Sequence, residues 1–221
     1  MDYPQAGISI VVAEDRQSDS MIETLKIAVA ALRERGVPFV LGGSVAAWAR
    51  GGPEPKNDLD LMIRPTDAEA ALAALAEAGM RPERPPEEWL FKAWRGNVML
   101  DLIFEPSGLE ITEEVLERAD TIPVMAVATP VMALEDVLVT MLCSIDEHTL
   151  DYSRLVAIAR ALREQIDWAR LRARTAGSPY AAAFFTLVES IGVVAPGGQS
   201  ESGARSGPGA HSRVRVLDGG A

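Results

Sequence analysis

The chain has 221 residues, 48% hydrophobic and 24% charged, a balance that excludes a disordered or fibrous polymer and suits one ample core or two small domains. A net charge of −11 argues against broad, sequence-independent binding to nucleic acid, which rests on many Lys and Arg contacts to phosphate. The single cysteine, Cys143, excludes an intramolecular disulfide and a thiolate zinc cluster and reads as a buried helix residue; no apolar stretch reaches membrane-spanning length. In chain order, Met1 to Gly7 carries neither the basic start nor the long apolar run of a secretory signal, which points to the cytoplasm. The Ile8-Ser9-Ile10-Val11-Val12 segment suggests no more than an edge strand. Ser18 to Arg35 reads as the first long helix, with Ile22, Leu25, Ile27, Val29 and Leu32 on its apolar side and Gly36 as its stop.

The strand Val37 to Leu41 follows at once, and Gly42-Gly43 turns the chain into a short helix from Ser44 to Arg50. A Gly51-Gly52-Pro53-Glu54-Pro55 loop delivers the next strand, Asp58 to Ile63. Thr66-Asp67-Ala68-Glu69 has the form of a capping box, opening an Ala/Leu-rich helix that ends at Gly79. Trp89 to Trp94 and Asn97 to Phe104 read as antiparallel strands joined by a turn at Arg95-Gly96-Asn97. Beyond Pro106 the pattern turns helical: Thr129-Pro130 is expected to cap a helix carrying Val131, Leu134, Leu138, Met141 and Leu142, and further helices start near Asp151, Asp167 and Ser178-Pro179. The predicted organisation is an α/β unit with a mixed sheet and flanking helices over residues 1–106, a small helical bundle over 107–194, and a disordered Gly/Ser/Pro-rich tail over 195–221.

Chemistry concentrates where the glycine turn meets the next two strands. Thirteen residues separate Ser44 from Asp58-Leu59-Asp60. If Leu59, Leu61 and Ile63 face a core, the period-2 geometry of a strand sets Asp58 and Asp60 together on its other face, a pair suited to a divalent cation. Asp101 repeats the placement in the apolar strand Val98 to Phe104, where a lone charge is costly unless paired, solvated or metal-bound. Three strand-borne acids beside a Gly-Gly-Ser turn suggest phosphoryl chemistry. Walker, Rossmann, zincin and nucleophile-elbow patterns are absent from the sequence.

An apolar strand ending in Gly42-Gly43-Ser44, then Asp58-Leu59-Asp60, then Leu100-Asp101-Leu102 resembles the signature of the nucleotidyltransferase superfamily related to DNA polymerase β. The helical remainder resembles the C-terminal part of bacterial minimal and abortive-infection nucleotidyltransferases, some of which are toxins of toxin–antitoxin pairs. The resemblance implies that Asp58 and Asp60 hold two Mg²⁺ ions, that Asp101 completes the second metal site or acts as base, and that Gly42, Gly43 and Ser44 bind the NTP phosphates. In the toxin-like members an NMP would pass from the NTP to a hydroxyl of an RNA end, that of tRNA, with an antitoxin as partner. Two alternatives stay open: adenylylation of an aminoglycoside or lincosamide, and a non-catalytic nucleotide-binding module. The RNA reading requires a basic groove built from Lys92, Arg95, Arg81 and Arg84. Arg50 and Arg64 flank the acids as phosphate contacts or solvated element ends, and His148 sits beside Asp146 and Asp151 in a loop. Abortive-infection relatives often carry a lysine in the helix that here contains Met141, and this chain lacks it.

Overall fold

A computed structural model describes residues 6–55 and 58–196, with side chains from residue 19 onward apart from that break. The expected tail from Ala195 falls almost wholly at 197–221, outside the described residues. Helix α1 spans Ala6–Arg35, so the Ile8–Val12 segment continues a helix rather than forming an edge strand. Its buried side is Met21, Leu25, Ala28, Val29 and Leu32, the spacing of one helical face, while Ile22 and Ile27 sit half-buried on the flanks. Gly36 stops the helix in the left-handed conformation, φ +70°, and the Val37 N–H closes back on the Leu32 carbonyl at 2.9 Å.

The elements that follow are β1 (Val40–Leu41), α2 (Gly43–Ala49), β2 (Asp58–Met62), α3 (Ala68–Glu77), β3 (Arg81–Glu83), β4 (Leu90–Arg95) and β5 (Val98–Ile103). The expected capping box does not form. A 3₁₀ turn over Pro65–Asp67 precedes α3, the Asp67 carboxylate accepts from Arg64 Nε at 2.7 Å, and Glu69 is drawn to Arg84 at 2.6 Å. The hairpin at Gly96-Asn97 does form, Arg95 pairing with Val98 and Gly96 taking φ +58°.

Beyond α4 (Glu113–Glu117) the chain makes a second hairpin, β6 (Asp120–Val124) and β7 (Val127–Val131). Thr129-Pro130 therefore lies in a strand, and helix α5 (Leu134–Cys143) starts four residues after Pro130. Helices α6 (Ser153–Leu162), α7 (Trp168–Arg174) and α8 (Pro179–Ser190) complete the described chain. Asp167 and Ser178 cap the last two, accepting from the backbone N–H groups of Arg170 and Ala181.

The seven strands form one mixed sheet in the order β3-β4-β5-β2-β1-β7-β6. The β2/β5 and β1/β7 pairs are parallel and the others antiparallel. Helices α1 and α3 pack together against the sheet, and Leu59, Leu61, Leu100 and Leu102 are fully buried in that core. Alternation along β2 and β5 then sends Asp58, Asp60, Met99 and Asp101 to the opposite face, where α2 meets α5.

Candidate active site

The three acids converge because β2 and β5 run parallel in one register. Asp60 lies directly opposite Asp101, and Asp58 opposite Met99. The antiparallel β4 adds Lys92 opposite Asp101, so Lys92, Asp101 and Asp60 form a row across three strands. Lys92 Nζ is 2.9 Å from Asp101 Oδ1. Asp58 is exposed at the start of its strand.

Charge crowding marks Asp60. Burial pushes its pKa up to about 7, aided by the Asp101 and Asp58 carboxylates and opposed by Lys92. Burial also raises Asp101, while its hydrogen bond to Lys92 pulls the other way. A cation bound nearby would lower the pKa of both acids.

The glycine turn closes the site from the β1 side. The Gly42 N–H donates to the Asp60 carbonyl at 2.8 Å, which extends the β1/β2 pairing and takes that donor away from any ligand. Gly43 has φ +56°, and a Cβ there would overlap Asp60 Oδ2, so both backbone and space demand glycine. As the first turn of α2, Gly43, Ser44 and Val45 present N–H groups that have no acceptor within the helix.

Asp60 and Gly43 open into a cleft of about 430 Å³ that Met62 and Ile103 also line. Its lining also includes Trp89, 43% exposed, and Glu105, together with Thr140, Met141 and Ser144 of the α5 end and Asp146. Asp146 Oδ1 accepts from the N–H groups of His148 and Thr149 and from the Thr149 hydroxyl, each at 2.8 Å, and these bonds hold its pKa below the usual carboxylate range. No Lys, Arg or His is among the cleft's described lining residues. Glu105 and Ser144 carry no sequence signal, since only the fold brings the β5 end and α5 together, whereas Trp89, like Trp48 and Trp94, is open to a base-stacking reading as an aromatic.

Other candidates are engaged elsewhere. Arg50 ties the end of α2 to the hairpin through the Val131 and Met132 carbonyls and Asp120, and Arg64 pairs with Asp67 and Glu113. Arg81, Arg84 and Arg95 each lie against a glutamate: Glu83, Glu69 and Glu23. His148 is a surface residue, its side chain 83% exposed, and Asp151 accepts from the Ser153 N–H at the start of α6. Cys143 is half-buried at the end of α5, and burial raises its thiol pKa. Trp48 is half-buried against the core, and Trp94 donates to Glu83 at 2.8 Å.

The donor set suits a hard divalent cation: carboxylate oxygens of Asp58 and Asp60 on one strand face, with Asp60 short of compensating charge. Among the described residues no three His, Cys, Asp or Glu side chains are already gathered into a metal cluster, and Asp101 is held by Lys92.

A mixed sheet with acids aligned on two parallel strands behind a glycine turn is the layout of a nucleotidyltransferase. The family model described as "uncharacterised nucleotidyltransferase" matches residues 10–188, and the chain belongs to that family. It is an enzyme of the nucleotidyltransferase type. No curated protein matches it in sequence. Among solved structures, the solution structure of the antibiotic-resistance factor ANT(2'')-Ia is similar at 15% identity and TM-score 0.54, over 77% of this chain and 96% of that one. A crystal structure of ANT(2'')-Ia with adenylyl-2''-tobramycin matches at 17% identity and TM-score 0.49, over 75% and 97%. A candidate nucleotidyltransferase from Thermotoga maritima matches at 15% identity and TM-score 0.44, over 52% and 78%. The first of these likenesses concerns the fold.

Proposed function

We propose that the protein is a Mg²⁺-dependent nucleotidyltransferase that moves an NMP from an NTP to a hydroxyl of a cationic small molecule. The observation that carries the acceptor class is the cleft, where Asp60, Glu105 and Asp146 stand with Trp89 and no described cationic side chain. Its volume, about 430 Å³, is that of a small-molecule pocket. An amine-bearing acceptor gains from the carboxylates and from the indole face, whereas an RNA backbone would be repelled. The antibiotic-resistance role named for ANT(2'')-Ia belongs to the same acceptor class, which is why aminoglycosides head the panel below.

Asp58 and Asp60 would hold the Mg²⁺, which when bound neutralises the triphosphate and favours departure of pyrophosphate. The N–H groups of Gly43 and Ser44 and the Ser44 hydroxyl would bind the phosphates, the Gly42 N–H being spent on β2. The acceptor oxygen forms a bond to the α-phosphorus while the bond to the β-phosphate bridge breaks. Asp101, one oxygen of which is held by Lys92, takes the hydroxyl proton on the other and returns it to solvent.

Transfer of α-labelled NTPs, each in turn, to aminoglycosides, lincosamides and total tRNA tests this. Label is expected on an amine-bearing small molecule, with loss of at least about 10³-fold in Asp58→Asn and an acceptor KM raised about tenfold in Glu105→Gln. Label on tRNA, or NTP binding without transfer to any acceptor, would overturn it.

A further inference from the structure

We propose that Lys92 is a built-in counter-ion of the acidic row, occupying at Asp101 the place a second divalent cation would take and leaving Asp58 and Asp60 to bind a single ion. The inference rests on the nucleotidyltransferase reading of those acids. Lys92 is placed by sheet register: β4 sets it opposite Asp101, and β5 sets Asp101 opposite Asp60, so ammonium and carboxylates share one face. Its Nζ is 2.9 Å from Asp101 Oδ1 and 3.5 Å from Met99 Sδ. The two side chains are only 20% and 14% exposed, so solvent screens the pair less than it screens a surface ion pair.

The neighbouring cations do not compete for this role. Arg81, Arg84 and Arg95 are each taken up by a glutamate outside the row, which leaves Lys92 as the cation aimed into it among the described residues. A divalent ion on Asp101 would sit within a few ångströms of the ammonium, with both charges in a partly desolvated place. Among the described residues Asp60 and Asp58 have no such cationic neighbour at hydrogen-bond distance, so the positive charge supplied by the fold sits at Asp101. One face of the sheet therefore carries two different answers to carboxylate crowding: a lysine supplied by the fold at Asp101, and an exchangeable ion at Asp58 and Asp60.

The test is Mn²⁺ binding to the full chain without nucleotide, read from the electron paramagnetic resonance signal of free Mn²⁺. Lys92→Met is expected to tighten Mn²⁺ binding about tenfold or to add a second ion per chain, since a positive charge leaves and Asp101 is released. That gain should vanish in Lys92→Met/Asp101→Asn, and Lys92→Arg, which keeps the charge, should bind as the wild type does. Should Lys92→Met lack a cooperative thermal transition, Lys92→Gln replaces it. Unchanged binding in the neutral variant, or a gain that persists without Asp101, would overturn the proposal. The nucleotidyltransferase reading fails separately: Asp58→Asn would then bind Mn²⁺ as tightly as the wild type.

Discussion

Asp60 on β2 and Asp136 in the first turn of α5 both carry a carboxylate inward, with opposite surroundings. Asp136 is 1% exposed and clamped by two guanidinium groups, Arg118 Nη2 at 3.0 Å and Arg174 Nη2 at 2.6 Å. Those partners come from the end of α4 and from α7, so the pair of bridges ties the segment before β6 and the last helices to α5. Asp60 has two acids beside it instead, and its pKa rises to about 7. A carboxylate whose charge the fold has already balanced is a structural joint; one left crowded by other acids is poised for an external cation.

The contrast can be broken at either end. Asp136→Ala leaves two arginines facing each other around a buried gap and should cost about 3–5 kcal/mol in urea denaturation. A loss under about 1 kcal/mol would mean that the joint is not structural. Asp60 should behave in the reverse sense. Its folded pKa lies above the unfolded 3.8, so the folded state retains a proton that the unfolded state gives up between about pH 4 and 7. In chelator, wild-type stability relative to Asp60→Asn should therefore fall as pH rises through that window, by on the order of 4 kcal/mol, and level off above about pH 7. A flat difference would remove the crowding from the account. The mildest perturbation is Gly43→Ala: the added methyl would displace the Asp60 carboxylate, and transfer should drop about 10²-fold while the far-UV spectrum is kept. Full activity in that variant would show that the turn does not position Asp60.

The β6/β7 hairpin shows why part of the fold was not legible. Its two-residue turn is Met125-Ala126, with φ +50° and +64°, left-handed positions normally marked by Gly, Asn or Asp. Without those markers, Thr129-Pro130 resembles a helix start, although Pro130 is accommodated in β7 opposite Thr121. Likewise Thr66 to Glu69 has the composition of a capping box, but Arg64 and Arg84 reach its acids from outside the local segment. The hairpin at Gly96, by contrast, carries its marker and was readable.

The sequence by itself determined the α/β class, the strands bearing Asp58, Asp60 and Asp101, the glycine turn, and the helix stops at Gly36 and Gly79, because each depends on local backbone preference or short-range periodicity. Tertiary structure alone decided which residues share a row. The parallel β2/β5 register sets Asp60 beside Asp101, the β4 hairpin brings Lys92 to it, and the return of α5 completes a cleft lined by Trp89, Glu105 and Asp146. Such juxtapositions join residues tens of positions apart, and no local pattern encodes the register in which strands pair or the face on which a later helix lands.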